Sequence, residues 1–237
     1  MKLLALDTAT EACSAALYVD GCVASRESVI GRGHAELVLG MIDDLLGAAG
    51  LRLAELDAIA VGRGPGAFTG VRIAIAVAQG LAAGAELPVV PVSDLAAVGV
   101  RAIARAESEW GAGPWEALVA LDARMGEVYA ARVRGAADGR IDLSDEAIVR
   151  PAEAFRDGPA GADQLGAGHG WSAYPELLAG DRDRLRVVWP ELLPNASDIA
   201  RIAVQQYAAG VRVTPEALTP VYLRDQVASQ RTDNRAK

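Results

Sequence analysis

The chain has 237 residues, 51% of them hydrophobic and 23% charged, which provides for one large or two small packed domains and excludes wholesale disorder. Its 31 acidic residues against 23 basic ones give a net charge of −8, a poor balance for holding nucleic acid unaided, because phosphate backbones select basic faces. Lys2 and Lys237 are the only lysines, which excludes an interior Schiff-base lysine, a Walker-type phosphate lysine and a lysine general base.

Leu3 to Leu6 read as a buried strand ending at Asp7-Thr8. Ser14–Val19 and Val23–Ser28 read as two more strands joined by a tight Asp20-Gly21 turn. Gly31-Arg32-Gly33 then leads into a helix on which Leu37, Val38, Met41, Ile42, Leu45, Leu46 and Ala49 recur at the spacing of one face, with Gly47 and Gly50 helping to end it. Asp57–Val61 form a strand, followed by the loop Gly62-Arg63-Gly64-Pro65-Gly66. The next helix starts near Thr69 as N-cap. Val71, Ile73, Ile75, Val77 and Leu81, separated by alanines, make it apolar nearly all round, so it belongs inside the domain or against another chain. Pro88–Val92 are a strand, and Ser93-Asp94 open a third helix running to about Glu107. The order β-β-β-α-β-α-β-α implies a mixed sheet with helices packed on it.

Ser108–Pro114 read as a linker. In the second half, Ala117–Leu121 and Glu127–Val133 are strands, Gly135–Gly139 a turn, and Ile141–Leu143 a continuation of the sheet. Pro151–Phe155 is a short helix, Leu165–Gly170 a strand running into a Gly-rich turn, and Ser197–Ala209 a helix capped by Ser197. Each half opens on a strand ending in aspartate, Leu6-Asp7-Thr8-Ala9 and Leu121-Asp122-Ala123-Arg124, a weak repeat that points to duplication. The expected division is an α/β subdomain over 1–107, a second over 108–224 and a flexible tail over 225–237. Asp7 interrupts any signal peptide, and the longest apolar stretch, Ile73–Ala85, falls short of the ~20 residues that span a bilayer. A cytoplasmic protein without membrane contact is expected.

Few residues offer chemistry. Cys13, Cys22, His34 and His169 are a thin supply of metal ligands, with no CxxC or HExxH spacing. A Cys13–Cys22 bridge is geometrically possible, and two buried or half-buried thiols are the plainer reading. Asp7, Thr8 and Thr10 at a strand end could meet phosphate and its magnesium, or simply close an Asx turn. Gly64 and Gly66 could bind an anion through backbone N–H groups, or form a tight turn under a closely packed helix. His34 and Glu36 lack a second metal ligand at Val38 and read as a solvated helix start. Gly166, Gly168, His169 and Gly170 could touch a nucleotide or form a plain loop. Arg182, Arg184 and Arg186 alternate with Asp181 and Asp183 and read as a solvated loop. No GxSxG elbow is present.

Five segments together resemble the TsaB (YeaZ) family: LALDTATEACSAAL, RGHAELVLGMIDDLL, DAIAVGRGPGAFTGVRIAIAVAQGLA, LDARMGEVYAA and PVYLR. The resemblance implies the actin/Hsp70/sugar-kinase fold, with two duplicated subdomains, each a mixed β-sheet flanked by helices, around a cleft. It also implies a role as partner of the TsaD-like catalytic subunit, which forms threonylcarbamoyl-adenosine at position 37 of tRNAs reading ANN codons. A TsaE-like ATPase joins them, and tRNA is met only through the complex. Where TsaD-like proteins carry an HxxxH metal pair, this chain has Pro91 and Leu95, neither of which binds metal, so no catalytic residue, metal or cofactor is expected. The family pairs through its first two helices. The stripes expected to serve here are Leu37, Met41 and Leu45 on one helix and Val71, Ala74, Ile75, Ala78 and Ala82 on the other, in a four-helix seam that a homodimer could also use. Asp7, Thr8, Thr10, Gly64 and Gly66 would be a vestigial phosphate loop. The rival reading is a nucleotide kinase or ATPase of the same fold, with ATP held by Asp7, Thr8 and the Gly166–Gly170 loop.

Overall fold

The alternation of Leu3 and Ala5 with Leu4 and Leu6 makes the first strand apolar on both faces, so it must lie at the centre of a sheet covered on both sides. In the structure, a computed structural model that describes residues 1–135, 141–156, 163–178 and 185–224, it does. The first half runs β1 (Lys2–Asp7), β2 (Ala12–Val19), β3 (Cys22–Val29), α1 (His34–Ala49), β4 (Ala58–Gly62), α2 (Phe68–Ala85), β5 (Val89–Val92) and α3 (Asp94–Trp110). The second runs β6 (Glu116–Arg124), β7 (Glu127–Gly135), β8 (Ile141–Leu143), β9 (Ala147–Val149), β10 (Gln164–Ala167), α4 (Gly170–Ala173), β11 (Leu185–Trp189) and α5 (Ala196–Ala208).

The sheets share one plan. The first has the order β3-β2-β1-β4-β5, antiparallel through β1–β2–β3 and parallel through β1–β4–β5. The second reads β8-β7-β6-β10-β11 with the same pattern of directions, and β9 pairs with β7 beside it. The duplication seen in the two Leu-Asp strand ends is therefore a duplication of topology, and the chain has the actin/Hsp70/sugar-kinase-like architecture of two mixed sheets flanked by helices.

The halves exchange helices, so packing does not divide at 107/108. On one face of the first sheet, Val38, Ile42 and Leu45 of α1 and Val71, Ala74 and Ala78 of α2 close over Leu4, Leu6, Ile59 and Val61. Its other face is covered by α5, whose Ile199, Ala200 and Ala203 meet Leu3, Ala5, Ala58 and Val90. Helix α3, although it follows β5, buries Val98, Ala102 and Ile103 against Ala117, Val119 and Val133 of the second sheet. Gly99 makes this approach possible, since a Cβ there would lie 2.4 Å from Val133.

Several local expectations change. Ser93 caps α3 as expected, accepting from the Ala96 N–H. The N-cap of α2, however, is Ala67 with no side-chain bond, and Thr69 lies inside the first turn. Asn195, not Ser197, caps α5 and accepts the Ser197 N–H at 2.8 Å. Helix α3 continues to Trp110, which shortens the linker, and Pro151–Glu153 is a single 3-10 turn. The strands β9 and β11 were not expected. Cys13 and Cys22 are free thiols; Cys13 is buried opposite Ser28, but Cys22, expected to be at least half-buried, is exposed opposite Val19 beside the hairpin turn. Arg186 is no solvated loop residue: it pairs with Asp163 at 3.1 Å and stacks 4.5 Å over Trp110. Arg182, Arg184, positions 136–139 of the expected turn and the expected tail lie outside the described residues.

Candidate functional site

Asp7 ends β1 and Asp94 opens α3, and the β4 strand end brings them together over Gly62. A Cβ on Gly62 would lie 2.3 Å from Asp94 Oδ1 and 2.5 Å from Asp7 Oδ1, so only glycine leaves room for the two carboxyls. Both aspartates are fully buried. Asp7 Oδ1 accepts the Ala9 N–H at 3.1 Å, and Asp94 Oδ2 accepts the Gly64 N–H at 2.5 Å. Asp7 Oδ2 and Asp94 Oδ1 find no hydrogen-bond partner among the described residues, and two buried carboxyls side by side disfavour a charge on both. Burial raises the carboxyl pKa of Asp7. Burial and then the neighbouring Asp7 charge raise that of Asp94 well above the ordinary carboxylate value. The expected meeting of Asp7 with phosphate and magnesium is thus corrected: its carboxyl is sealed inside the protein.

The other phosphate-loop residues are also spent on packing. The Thr8 hydroxyl donates to the Gly70 carbonyl at 2.7 Å, and Thr10 Oγ1 accepts the Ala12 N–H. Gly66 lies so close to Ala9 that a Cβ would stand 2.6 Å from its carbonyl oxygen, and at Gly70 the corresponding distance to Thr8 O is 2.0 Å. Gly64 holds a φ of 93° where its N–H reaches Asp94. These glycines let the start of α2 press on the end of β1. The same device recurs in the second half, where a Cβ on Gly168 or Gly170 would lie 2.4 or 2.8 Å from Ala120 O, and Gly166 backs onto Val188 and Trp171. The Gly166–Gly170 turn is occupied by its own sheet.

Between the halves lies a cleft of about 1010 Å³. Thr8–Glu11, the α1 start and the α2 start form one wall, and Leu121–Arg124, Tyr129 and His169 form the other. Both histidines of the chain face it. His34 is half-buried and its Nε2–H donates to Thr10 O at 3.1 Å, so it is not simply solvated. His169 Nδ1 accepts the Asp122 N–H at 3.1 Å, which fixes this nitrogen as unprotonated. Burial lowers the His169 pKa. Asp122 in turn accepts from the Tyr174 hydroxyl at 2.8 Å and the Arg124 N–H at 2.7 Å. Among the described residues no three His, Cys, Asp or Glu side chains come together as a metal site. Pro91 lies within β5, and Leu95 is buried in the core between α3 and the second sheet.

The cleft mouth was not legible as a site. Arg32, Arg72, Arg124 and Arg224 all line it, far apart in sequence. The segment that follows α5 brings Arg224 there: Val213 bridges to Val89, Gln79 holds Pro215 O and Leu218 O, and Val221 N–H donates to Arg63 O. Arg224 then reaches Glu127 and the Ala123 carbonyl of the opposite half. Behind the cleft, Glu146 ties the halves together through Arg63 at 2.6 Å and through Ser93.

The residues expected to meet a partner are mostly inside. Met41, Leu45, Val71, Ala74, Ile75, Ala78 and Ala82 are at most 8% exposed and hold α1 and α2 onto the first sheet, while Leu37 is half-buried against the same core. The apolar period marks the face that packs inward. The outward faces carry Leu39, Gly40, Asp43, Ala76, Gly80 and Gly84, all exposed, with Ile73, Val77 and Leu81 half-buried at their edge. Helix α2 is long and apolar enough in composition to cross a membrane, and one of its faces is packed on the sheet.

The family profile described as "TsaD: tRNA N6-adenosine threonylcarbamoyltransferase" matches residues 27–229. The chain is 42% identical to the Escherichia coli tRNA threonylcarbamoyladenosine biosynthesis protein TsaB, over 96% of both chains. It is 35% identical to the Haemophilus influenzae protein of the same name, over 99% of this chain and 98% of that one. Among solved structures, YeaZ from Pseudomonas aeruginosa superposes with a TM-score of 0.79 at 43% identity, covering 94% of this chain and 99% of that one. A second Pseudomonas aeruginosa structure, described as an uncharacterized protein with similarity to peptidase YEAZ, reaches a TM-score of 0.81 at 44% identity over the same shares.

Proposed function

The chain belongs to the TsaB (YeaZ) family, and from that premise we propose that it serves tRNA threonylcarbamoyladenosine biosynthesis as a non-catalytic subunit. It pairs with a TsaD-like transferase and supports the binding of a TsaE-like ATPase. Its place is the cytoplasm, and it meets tRNA through the assembled complex. The end-to-end match to relatives named for this pathway carries the reading. Pro91 and Leu95 at the positions aligned with a metal-binding HxxxH pair support the non-catalytic part, because neither side chain can ligate an ion that would polarise a carbonyl.

The outward face of α1 and α2 is the surface this role requires. Gly40, Gly80 and Gly84 lie inside these helices with nothing within 4 Å of where a Cβ would stand. A mid-helix glycine, as Gly40 and Gly80 are, is less stable than alanine by roughly 0.5–1 kcal/mol, and nothing in the packing of the described residues explains these two. Close approach of a partner's helices does explain them, and a second copy of this chain could compete for the same face. Gly80→Glu tests the point without damaging the fold, since the new side chain enters open space. The variant is expected to keep or slightly raise the melting temperature of the isolated chain and to abolish co-purification with the TsaD-like subunit. Undiminished pairing counts against this face. Reconstituting tRNA modification from purified components tests the wider role, which fails if the modified nucleoside forms at full rate without this chain.

A further inference from the structure

Seven large hydrophobic side chains are exposed among the described residues, and three of them, Phe68 at 51%, Met125 at 77% and Tyr222 at 45%, come from three separate segments around the mouth of the cleft. Phe68 and Tyr222 sit with ring centroids 5.6 Å apart. The Arg72 guanidinium lies 3.6 Å over the Phe68 ring, and its Nε–H donates to the Tyr222 hydroxyl at 2.7 Å. Arg224 fastens the tip of the β6–β7 hairpin, donating to Met125 Sδ as well as to Glu127. That tip has three consecutive left-handed residues, Arg124, Met125 and Gly126, with φ of 65°, 58° and 77°. Two of these carry side chains, a strain of ~1–3 kcal/mol each that holds Met125 out in solvent and gains nothing from burial there.

The charge of the mouth runs against that of the molecule. Four arginines line the cleft against Glu11 and Asp122, in a chain whose net charge is −8. Arg124 is matched by Asp122 and Arg224 by Glu127, while Arg32 and Arg72 have no carboxylate partner among the described residues. Arginine, aromatic side chains and methionine are the types enriched where proteins bind proteins. We propose that this rim is a docking surface for a carboxylate-rich protein segment carrying an apolar anchor, with the carboxylates on Arg32 and Arg72 and the anchor between Phe68 and Met125. A nucleic acid fits less well, because the ring face that would stack a base is already covered by Arg72 and a methionine tip offers no flat face. The surface adjoins the outward face of α2 through Arg72 but does not depend on the pairing proposed for that face.

Methyl NMR of the full chain, carbon-13 labelled at methionine, tests this on the isolated protein. Of the three methionines, Met125 reports on the rim and buried Met41 serves as the internal control. The probes are a peptide of alternating glutamate and leucine, its lysine–leucine counterpart, oligouridine and magnesium ATP. The glutamate–leucine peptide is expected to shift the Met125 methyl saturably and leave Met41 unmoved. Arg72→Glu or Arg32→Glu is expected to weaken that binding by about tenfold or more, equal to ~1.4 kcal/mol. The proposal is overturned if the acidic peptide moves nothing, if the basic peptide shifts Met125 equally, or if oligouridine or ATP binds the rim more tightly.

Discussion

Asp7 and Asp122 occupy the same place in the two repeats, at the end of the first strand of each sheet, yet one is sealed and the other faces the cleft. Asp7 is fully buried against Asp94, while Asp122 keeps 13% of its side chain exposed and is held by Tyr174, Arg124 and the backbone contact to His169. The helix that follows the equivalent glycine turn has 18 residues in the first half and 4 in the second. What the two halves share is backbone approach: Gly66 and Gly70 onto Ala9 and Thr8, and Gly168 and Gly170 onto Ala120. The duplicated plan therefore demands glycine at the turn and leaves the strand-end carboxylate free to be buried or presented. The first half also gains a long apolar helix with one face to spare.

A methyl group added at each turn should separate the two halves most strongly. Gly70→Ala would place its Cβ 2.0 Å from Thr8 O, against 2.8 Å between Gly170→Ala and Ala120 O. Overpacking typically costs ~1–3 kcal/mol and occasionally more, so Gly70→Ala is expected at or beyond the top of that range and Gly170→Ala near its lower end. Urea unfolding measures both, and equal losses would mean that the two turns are not differently committed.

The halves should also answer pH with opposite signs. A carboxyl whose folded pKa is raised holds its proton when the unfolded chain has released it. Stability is then complete below the ordinary carboxylate range and is lost as pH rises toward the folded value, at up to about 1.4 kcal/mol per pH unit for each proton. Asp94 behaves this way because of burial and Asp7. Asp94→Asn keeps an acceptor for the Gly64 N–H and gives Asp7 a donor, so it is expected to flatten the decline toward neutral pH by one such proton. His169 works the other way. Burial depresses its folded pKa, so stability present at neutral pH is lost as pH falls below the ordinary histidine range, and protonation of Nδ1 expels the Asp122 N–H. His169→Asn retains an acceptor that does not titrate and is expected to remove a smaller acid-side loss. Melting temperatures across pH separate the two, and a single slope unaffected by both variants would refute the assignment.

Much of this organisation was readable from the residues, and the failures have physical causes. The Asp20-Gly21 hairpin, the Ser93 cap and the order of elements through α3 follow from turn chemistry and periodicity, which are local. Asn195 and Ser197 are equally good N-cap types, and only the chain path decides between them. β11 is the short run Leu185-Arg186-Val187-Val188-Trp189, too brief to stand out before its pairing with β10 is known. At Met41, Leu45 and Val71 hydropathy finds the face that leaves water, and their own sheet claims it. The outward faces mix exposed Leu39, Gly40, Asp43, Ala76, Gly80 and Gly84 with half-buried Ile73, Val77 and Leu81, which form no single apolar stripe. Arg32, Arg72, Arg124 and Arg224 share a cleft only because duplication folds one half over the other, and no local window contains two of them.

The smallest effect is also the one that most sharpens the contrast between the halves. Gly84 sits in α2 with open space where a Cβ would stand and a φ that any residue adopts. Gly84→Ala is therefore expected to stabilise the isolated chain by roughly 0.5–1 kcal/mol, since it restricts the unfolded chain and costs no contact in the folded one. In the second half the same substitution at Gly168 must destabilise, because its φ is 99° and Ala120 O lies 2.4 Å from the new Cβ. Thermal unfolding of the two variants side by side would show glycine acting for the fold in one half and against it in the other. If Gly84→Ala were destabilising, the outward face of α2 would be packed in the monomer after all, and the argument that its glycines answer to a partner would fall with it.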